Sequence, residues 1–145
     1  MTWKTLMSNE KTATDTFTTG IATCPSGRVI ACPASLSSES KSSTPSLSNP
    51  ESLGDAGFLK LHRHSHAEIY YVISGTGVVC IDQQEYQVNT GSVVFIPGDA
   101  EHGIFNKGDG DLVWLYVFAA DGFEEIVYRF SGEEGGGGRN GKAKL

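Results

Sequence analysis

The chain reads as an all-β protein, an antiparallel sandwich or barrel in a single domain, closed by a short C-terminal helix. Three observations point there. Short runs of strand-forming residues follow one another between Gly and Asp boundaries, and no helices alternate with them as a βαβ fold requires. A length of 145 residues, 39% of them apolar and 18 of them glycine, suits one small, turn-rich core.

In chain order the expected strands are TFTTGIA (16–22), RVIAC (28–32), GFLKLHRH (57–64), AEIYYVIS (67–74), TGVVCID (76–82), QEYQV (84–88), SVVFI (92–96), HGIFN (102–106) and DLVWLYVFA (111–119). The helix is expected over DGFEEIVYRF (121–130). There Asp121 can cap with Glu124 three positions on, and Phe123, Ile126, Val127 and Phe130 share one face at helical spacing. Residues 1–33 are read as N-terminal strands and 34–56, rich in Ser and Pro, as a flexible loop too apolar-poor to offset its ordering entropy. Residues 57–131 form the ordered body, and 132–145, with four consecutive glycines, are read as a disordered tail.

A formal net charge of −6 opposes nucleic acid and anionic membranes as partners, because both attract clustered Lys and Arg. The N-terminal stretch lacks the apolar core of a signal peptide, and the longest apolar run, 112–120, is too short to span a bilayer. A cytoplasmic protein is therefore expected. Cys24, Cys32 and Cys80 are odd in number and form no C-x-x-C pair, so reduced thiols are expected, with Cys80 in the core.

The chemistry concentrates in LHRHSHAEIYYVISG, residues 61–75. Period-two alternation sends His62, His64, Glu68 and Tyr70 to one side of the sheet and Leu61, Ile69 and Tyr71 to the other. Two imidazoles and a carboxylate in one interior are costly to bury unless something binds them, and a divalent transition metal takes these ligands. His66, in the intervening turn, reads as a solvated or supporting residue. Tyr70 has two competing roles, metal ligand or general base on one hand and core tyrosine on the other. Trp114, Tyr116 and Phe118 alternate on one face and read as core or as pocket lining.

These residues resemble the cupin superfamily. Its first motif, G-x5-H-x-H-x3,4-E-x6-G, is matched by His62, His64, Glu68 and Gly75, with the opening glycine one position late at Gly57. Its second, G-x5-P-x-G-x2-H-x3-N, is matched by Gly91, Pro97, His102 and Asn106, with Asp99 in place of the middle glycine and Gly98 beside it. The resemblance covers about residues 57–120. It implies a jelly-roll β-barrel and a single divalent metal, Fe, Mn, Zn or Ni, held by His62, His64, Glu68 and His102. The shift at Asp99 is expected to move the turn without removing the ligand.

A metal with open positions and a dry cavity suits a small organic substrate. Lyase, dehydratase or cyclase-like chemistry without redox change is the first expectation, with Tyr70 as the catalytic proton carrier. The pattern H-x-H-x3-E-x-Y is also similar to that of cupin lyases acting on dimethylsulfoniopropionate. An iron-dependent dioxygenase and a non-catalytic binding module are the alternatives. Because 77–81 and 112–119 are apolar at both parities, a homodimer is expected.

Overall fold

A computed structural model of the chain describes residues 1–27 and 57–131. Ten strands follow in order: β1 (Thr2–Met7), β2 (Thr18–Cys24), β3 (Phe58–Arg63), β4 (Glu68–Ser74), β5 (Thr76–Ile81), β6 (Gln84–Asn89), β7 (Val93–Ile96), β8 (His102–Asn106), β9 (Leu112–Phe118) and β10 (Arg129–Phe130). They form two five-stranded antiparallel sheets, ordered β1-β2-β9-β4-β7 and β10-β3-β8-β5-β6. The all-β expectation holds. The expected closed barrel does not, because no backbone ladder joins one sheet to the other among the described residues and the fold is an open jelly-roll sandwich.

The core follows from alternation. In β9, Leu112, Trp114, Tyr116 and Phe118 point inward and are buried, while Val113, Leu115 and Val117 face outward and are half-buried. In β4 the same period buries Glu68, Tyr70 and Val72 and leaves Ile69, Tyr71 and Ile73 exposed. Trp114 packs on Tyr70 with ring centroids 5.6 Å apart, which joins the aromatic stripe of β9 to the inner face of β4. Between β5 and β6 the chain reverses through Asp82 and Gln83, both at positive φ, the two-residue turn whose twist matches antiparallel strands.

The C-terminal helix expected at 121–130 is absent. A single 3-10 turn, Phe123–Glu125, is followed by extended chain and the two-residue β10. Asp121 caps nothing there; Gly122 holds the cap position without a side-chain bond. The apolar residues that suggested a helical face are divided instead: Ile126 is buried and Val127 is 55% exposed. Strand β1 is not among the expected strands, because its side chains are mostly exposed and carry little apolar alternation. The expected strand at 28–32, Cys32 and the expected loop at 34–56 lie outside the described residues, as does the tail from 132.

Cys24 and Cys80 are buried thiols, and burial pushes Cys24 up to about 11, which makes it an unreactive core residue. No helix among the described residues is long and apolar enough to cross a membrane.

Candidate metal centre

The two cupin-like motifs meet at one mouth of the sandwich. His62, the penultimate residue of β3, pairs across the ladder with His102, which begins β8. Glu68 begins β4 in the opposite sheet, paired with Phe118 and Ile96, and His64 lies in the connection between β3 and β4. One stretch of seven residues spanning β3, its connection and β4, together with the distant β8, thus brings four polar side chains into one interior, each at most 3% exposed.

The second motif is fastened to the first by backbone. The Asp99 amide donates to the His64 carbonyl at 2.8 Å. Gly98 has no room for a side chain, since a Cβ there would stand 2.3 Å from the Ser65 carbonyl oxygen. Asp99 takes φ 63, the left-handed conformation that glycine adopts without penalty and Asp tolerates. The departure from the family pattern is therefore absorbed in place, and His102 keeps its seat. Asn106, the last residue of that motif, donates to the carbonyls of Cys24 and Gly110 and accepts from the Gly108 amide, so it ties loops together away from the centre.

Each histidine is clamped through Nδ1: His62 to the Lys60 carbonyl at 2.8 Å, His64 to the His66 carbonyl at 2.8 Å, and His102 to the Ala100 carbonyl at 2.9 Å. A carbonyl can only accept, so Nδ1 carries a proton, and a ring with no second proton presents a lone pair at Nε2. All three Nε2 atoms are buried without a hydrogen-bond partner among the described residues. One ring nitrogen from each histidine lies within 4.8 Å of the others. Burial, then the neighbouring His102, pushes His62 down to about 3, which keeps that imidazole neutral in ordinary buffers.

Glu68 completes the cluster. Its Oε2 lies 3.3 Å from His64 Nε2 and 3.3 Å from His102 Nε2. Burial alone would raise its carboxyl, but hydrogen bonds and charge from His102 and His64, which these rings supply only with a proton on Nε2, outweigh burial and hold it below the ordinary carboxylate value. A buried anion beside two lone-pair nitrogens needs positive charge, either a ring proton or a metal ion. Three converging imidazole lone pairs and one carboxylate are a donor set that fits a divalent transition metal. His66, half-buried in the turn, serves through its backbone, since its carbonyl sets the tautomer of His64.

Tyr70 lies on the same inner face, with its hydroxyl interacting with the Glu68 carboxylate. Burial and then the Glu68 charge push its phenol well above the ordinary value, so the chain's own groups hold a proton on it at neutral pH. Tyr128, which the sequence pattern placed on a helix, sits directly against the centre. Its ring stacks on His62 at 4.6 Å and meets His64 edge-on at 5.6 Å. Burial and the Glu68 charge push its phenol well above the ordinary value too. Only a tyrosine lying beyond the last strand signalled it in the sequence. Phe118, expected as core or lining, reaches His64 edge-on at 5.1 Å.

Together these features define a jelly-roll protein with a candidate metal centre at one mouth. Residues 54–118 match the family model described as a cupin domain, and that part of the chain is a cupin domain. Over 73 residues it is 42% identical to the dimethylsulfoniopropionate lyase DddW of Ruegeria pomeroyi, a match taking in 50% of this chain and 47% of that protein. It is 30% identical over 95 residues to a glucose-6-phosphate isomerase of Thermococcus onnurineus, covering 52% and 50% of the two chains. The chain spans about half the length of these curated relatives. Among solved structures, the DMSP lyase DddQ of Ruegeria pomeroyi superposes with a TM-score of 0.62 at 16% identity, over 93% of this chain and 53% of that one. The polyketide cyclase RemF of Streptomyces resistomycificus gives 0.58 at 16% identity, over 89% and 69%. At such identities the superpositions speak for the fold.

Proposed function

We propose that this cupin is a metal-dependent lyase acting on a small organic acid, with His62, His64, Glu68 and His102 as ligands and Tyr70 as the proton carrier. The observation that carries the metal role is the convergence of three buried histidine nitrogens within 4.8 Å of one another, two of them 3.3 Å from the Glu68 carboxylate. The match to DddW supports the choice of lyase over dioxygenase and makes dimethylsulfoniopropionate the first substrate to test. Bound there, a divalent ion of the Fe, Mn, Zn or Ni type supplies Lewis acidity at a substrate oxygen and positive charge that favours the Tyr70 phenolate.

The chain's own residues do the remainder. Tyr70 Oη accepts the proton from the carbon beside the substrate carboxylate; that carbon's electron pair forms a double bond, and the C–S pair departs on a neutral sulfide. Phe118, Tyr116 and Trp114 close the inner wall against water. The test is anaerobic turnover of dimethylsulfoniopropionate by metal-loaded protein, read as released dimethyl sulfide. Iron-dependent oxygen uptake with an organic substrate would replace the lyase with a dioxygenase, and metal uptake with no turnover would leave a binding module.

A cytoplasmic homodimer is part of the same proposal. Residues 77–80 are buried on both parities within one chain, so that stretch asks for no partner. The open apolar face lies on the other sheet, where Ile69, Tyr71 and Ile73 of β4 adjoin Val93 and Phe95 of edge strand β7, the last two 70% and 62% exposed. Neither strand carries an outward charge, the usual protection of an edge. These side chains offer on the order of 500 Å², which β9's half-buried Val113, Leu115 and Val117 extend toward the ~800 Å² per partner of a standard interface. Light scattering at micromolar concentration should give twice the chain mass, and Phe95→Glu should give the monomer. A wild-type monomer, or a dimer indifferent to Phe95→Glu, would refute this face.

A further inference from the structure

The candidate metal centre is sealed. His62 and His102 are 0% exposed and His64 1%, so neither a hydrated cation nor a substrate reaches the Nε2 atoms in this conformation. Some element over the mouth must give way, and the elements around the centre are held very unequally. Apart from the two-residue edge pairing with β10, strand β3 is laddered to β8, and β8 on both sides, by β3 and β5; Phe118 belongs to β9, the middle strand of its sheet. The segment 122–131 is held otherwise. It has one 3-10 turn, a two-residue pairing of Arg129 and Phe130 with Arg63 and His62, and a single further backbone bond from the Ser131 amide to the Leu61 carbonyl.

Its remaining polar ties are exposed: Arg129 to the Asp99 carboxylate and the Ser131 hydroxyl to Glu101, which Arg63 also approaches at 3.7 Å. Exposed pairs of this kind contribute little and are screened by salt. The weight of the segment's attachment falls on the buried Ile126, which packs in the core, and on aromatic contact with the centre itself. Tyr128 lies across His62 and His64, Phe130 reaches His62 at 5.7 Å, and Phe123 backs Tyr128 at 6.2 Å while resting on Phe118 at 5.9 Å. Tyr128 is half-buried as a residue, with its ring packed on the imidazoles and between Phe123 and Phe130.

We infer that segment 122–131 is the gate of this centre and that Tyr128 is its plug, admitting a divalent cation and then a small organic ligand when the Arg129–Asp99 and Ser131–Glu101 ties release. Regions with few backbone bonds and exposed side-chain ties open at low cost without global unfolding. Only the identity of the entering ligand rests on the lyase reading. The gate itself is a property of the imidazoles' accessibility.

The test therefore uses no metal and no substrate. Metal-free full-length protein is treated with diethylpyrocarbonate, which acylates neutral imidazole nitrogen, and each histidine is followed by peptide mass spectrometry. His66, half-buried in its turn, is the internal standard. His62, His64 and His102 should react at least about tenfold more slowly than His66 in the wild type. Tyr128→Ala and the exposed Arg129→Ala should each accelerate all three, with His66 unchanged and far-UV circular dichroism preserved. Wild-type rates equal to that of His66, or protection untouched by either variant, would overturn the gate. So would acceleration confined to a Tyr128→Ala protein that has lost its fold, with none in Arg129→Ala.

Discussion

Alanine at His64 or His102 should strip most of the bound metal and abolish the gain in melting temperature that metal confers. Each ring is aimed by its Nδ1 bond to a backbone carbonyl, and alanine removes both the ring and the nitrogen it presents to the centre. A ligand that binds only the folded chain stabilises it by about 2.7 kcal/mol at a hundredfold excess over its dissociation constant, and that increment disappears with the site. Melting must be compared with and without metal. Removing either imidazole also leaves Glu68 with one partner fewer, and this destabilises the metal-free chain on its own account. His66→Ala should bind as the wild type does, since His66 supports His64 through its carbonyl alone. Full metal occupancy in the His64 or His102 variant would show that the centre is assigned wrongly.

Tyr70→Phe should retain metal and fold yet lose turnover by a factor on the order of 10² or more. The ring stays against Trp114, so packing is preserved, and only the hydroxyl that meets Glu68 is deleted. Burial and the Glu68 charge hold the proton on Tyr70 in the protein alone, so its use as a base depends on charge arriving at the neighbouring imidazoles. The activity of the wild type should accordingly rise with pH and shift with the metal supplied, while Tyr70→Phe should show a low, flat profile. An unchanged rate in Tyr70→Phe would reduce this tyrosine to core packing and leave the lyase without its proton carrier.

The sequence reading succeeded where a local period is also a tertiary fact. In β4 and β9 the alternation of apolar and polar positions is the alternation of inside and outside, because each strand is covered on one face by the core. It failed at 121–130, where Phe123, Ile126, Val127 and Phe130 satisfy a helical period as well as an irregular one. Helix formation there competes with stacking of Tyr128 on His62 and of Phe123 on Phe118, contacts with residues that lie 60 or so positions upstream or on the preceding strand. A short helix is marginal on its own, so the tertiary contacts prevail.

The sequence by itself determined the alternating all-β body and, through two spaced motifs, which four side chains are candidates for one metal, since parity along a strand is a property of the chain. Only the tertiary structure decided how they meet. The Nδ1 clamps are local, each to a carbonyl two residues away, but the pairing of His62 with His102, the fastening of the Asp99 turn to His64, the open rather than closed sandwich and the seat of Tyr128 across the imidazoles all depend on residues far apart in the chain. Their separation is fixed by the packing of two sheets, and no local pattern encodes it.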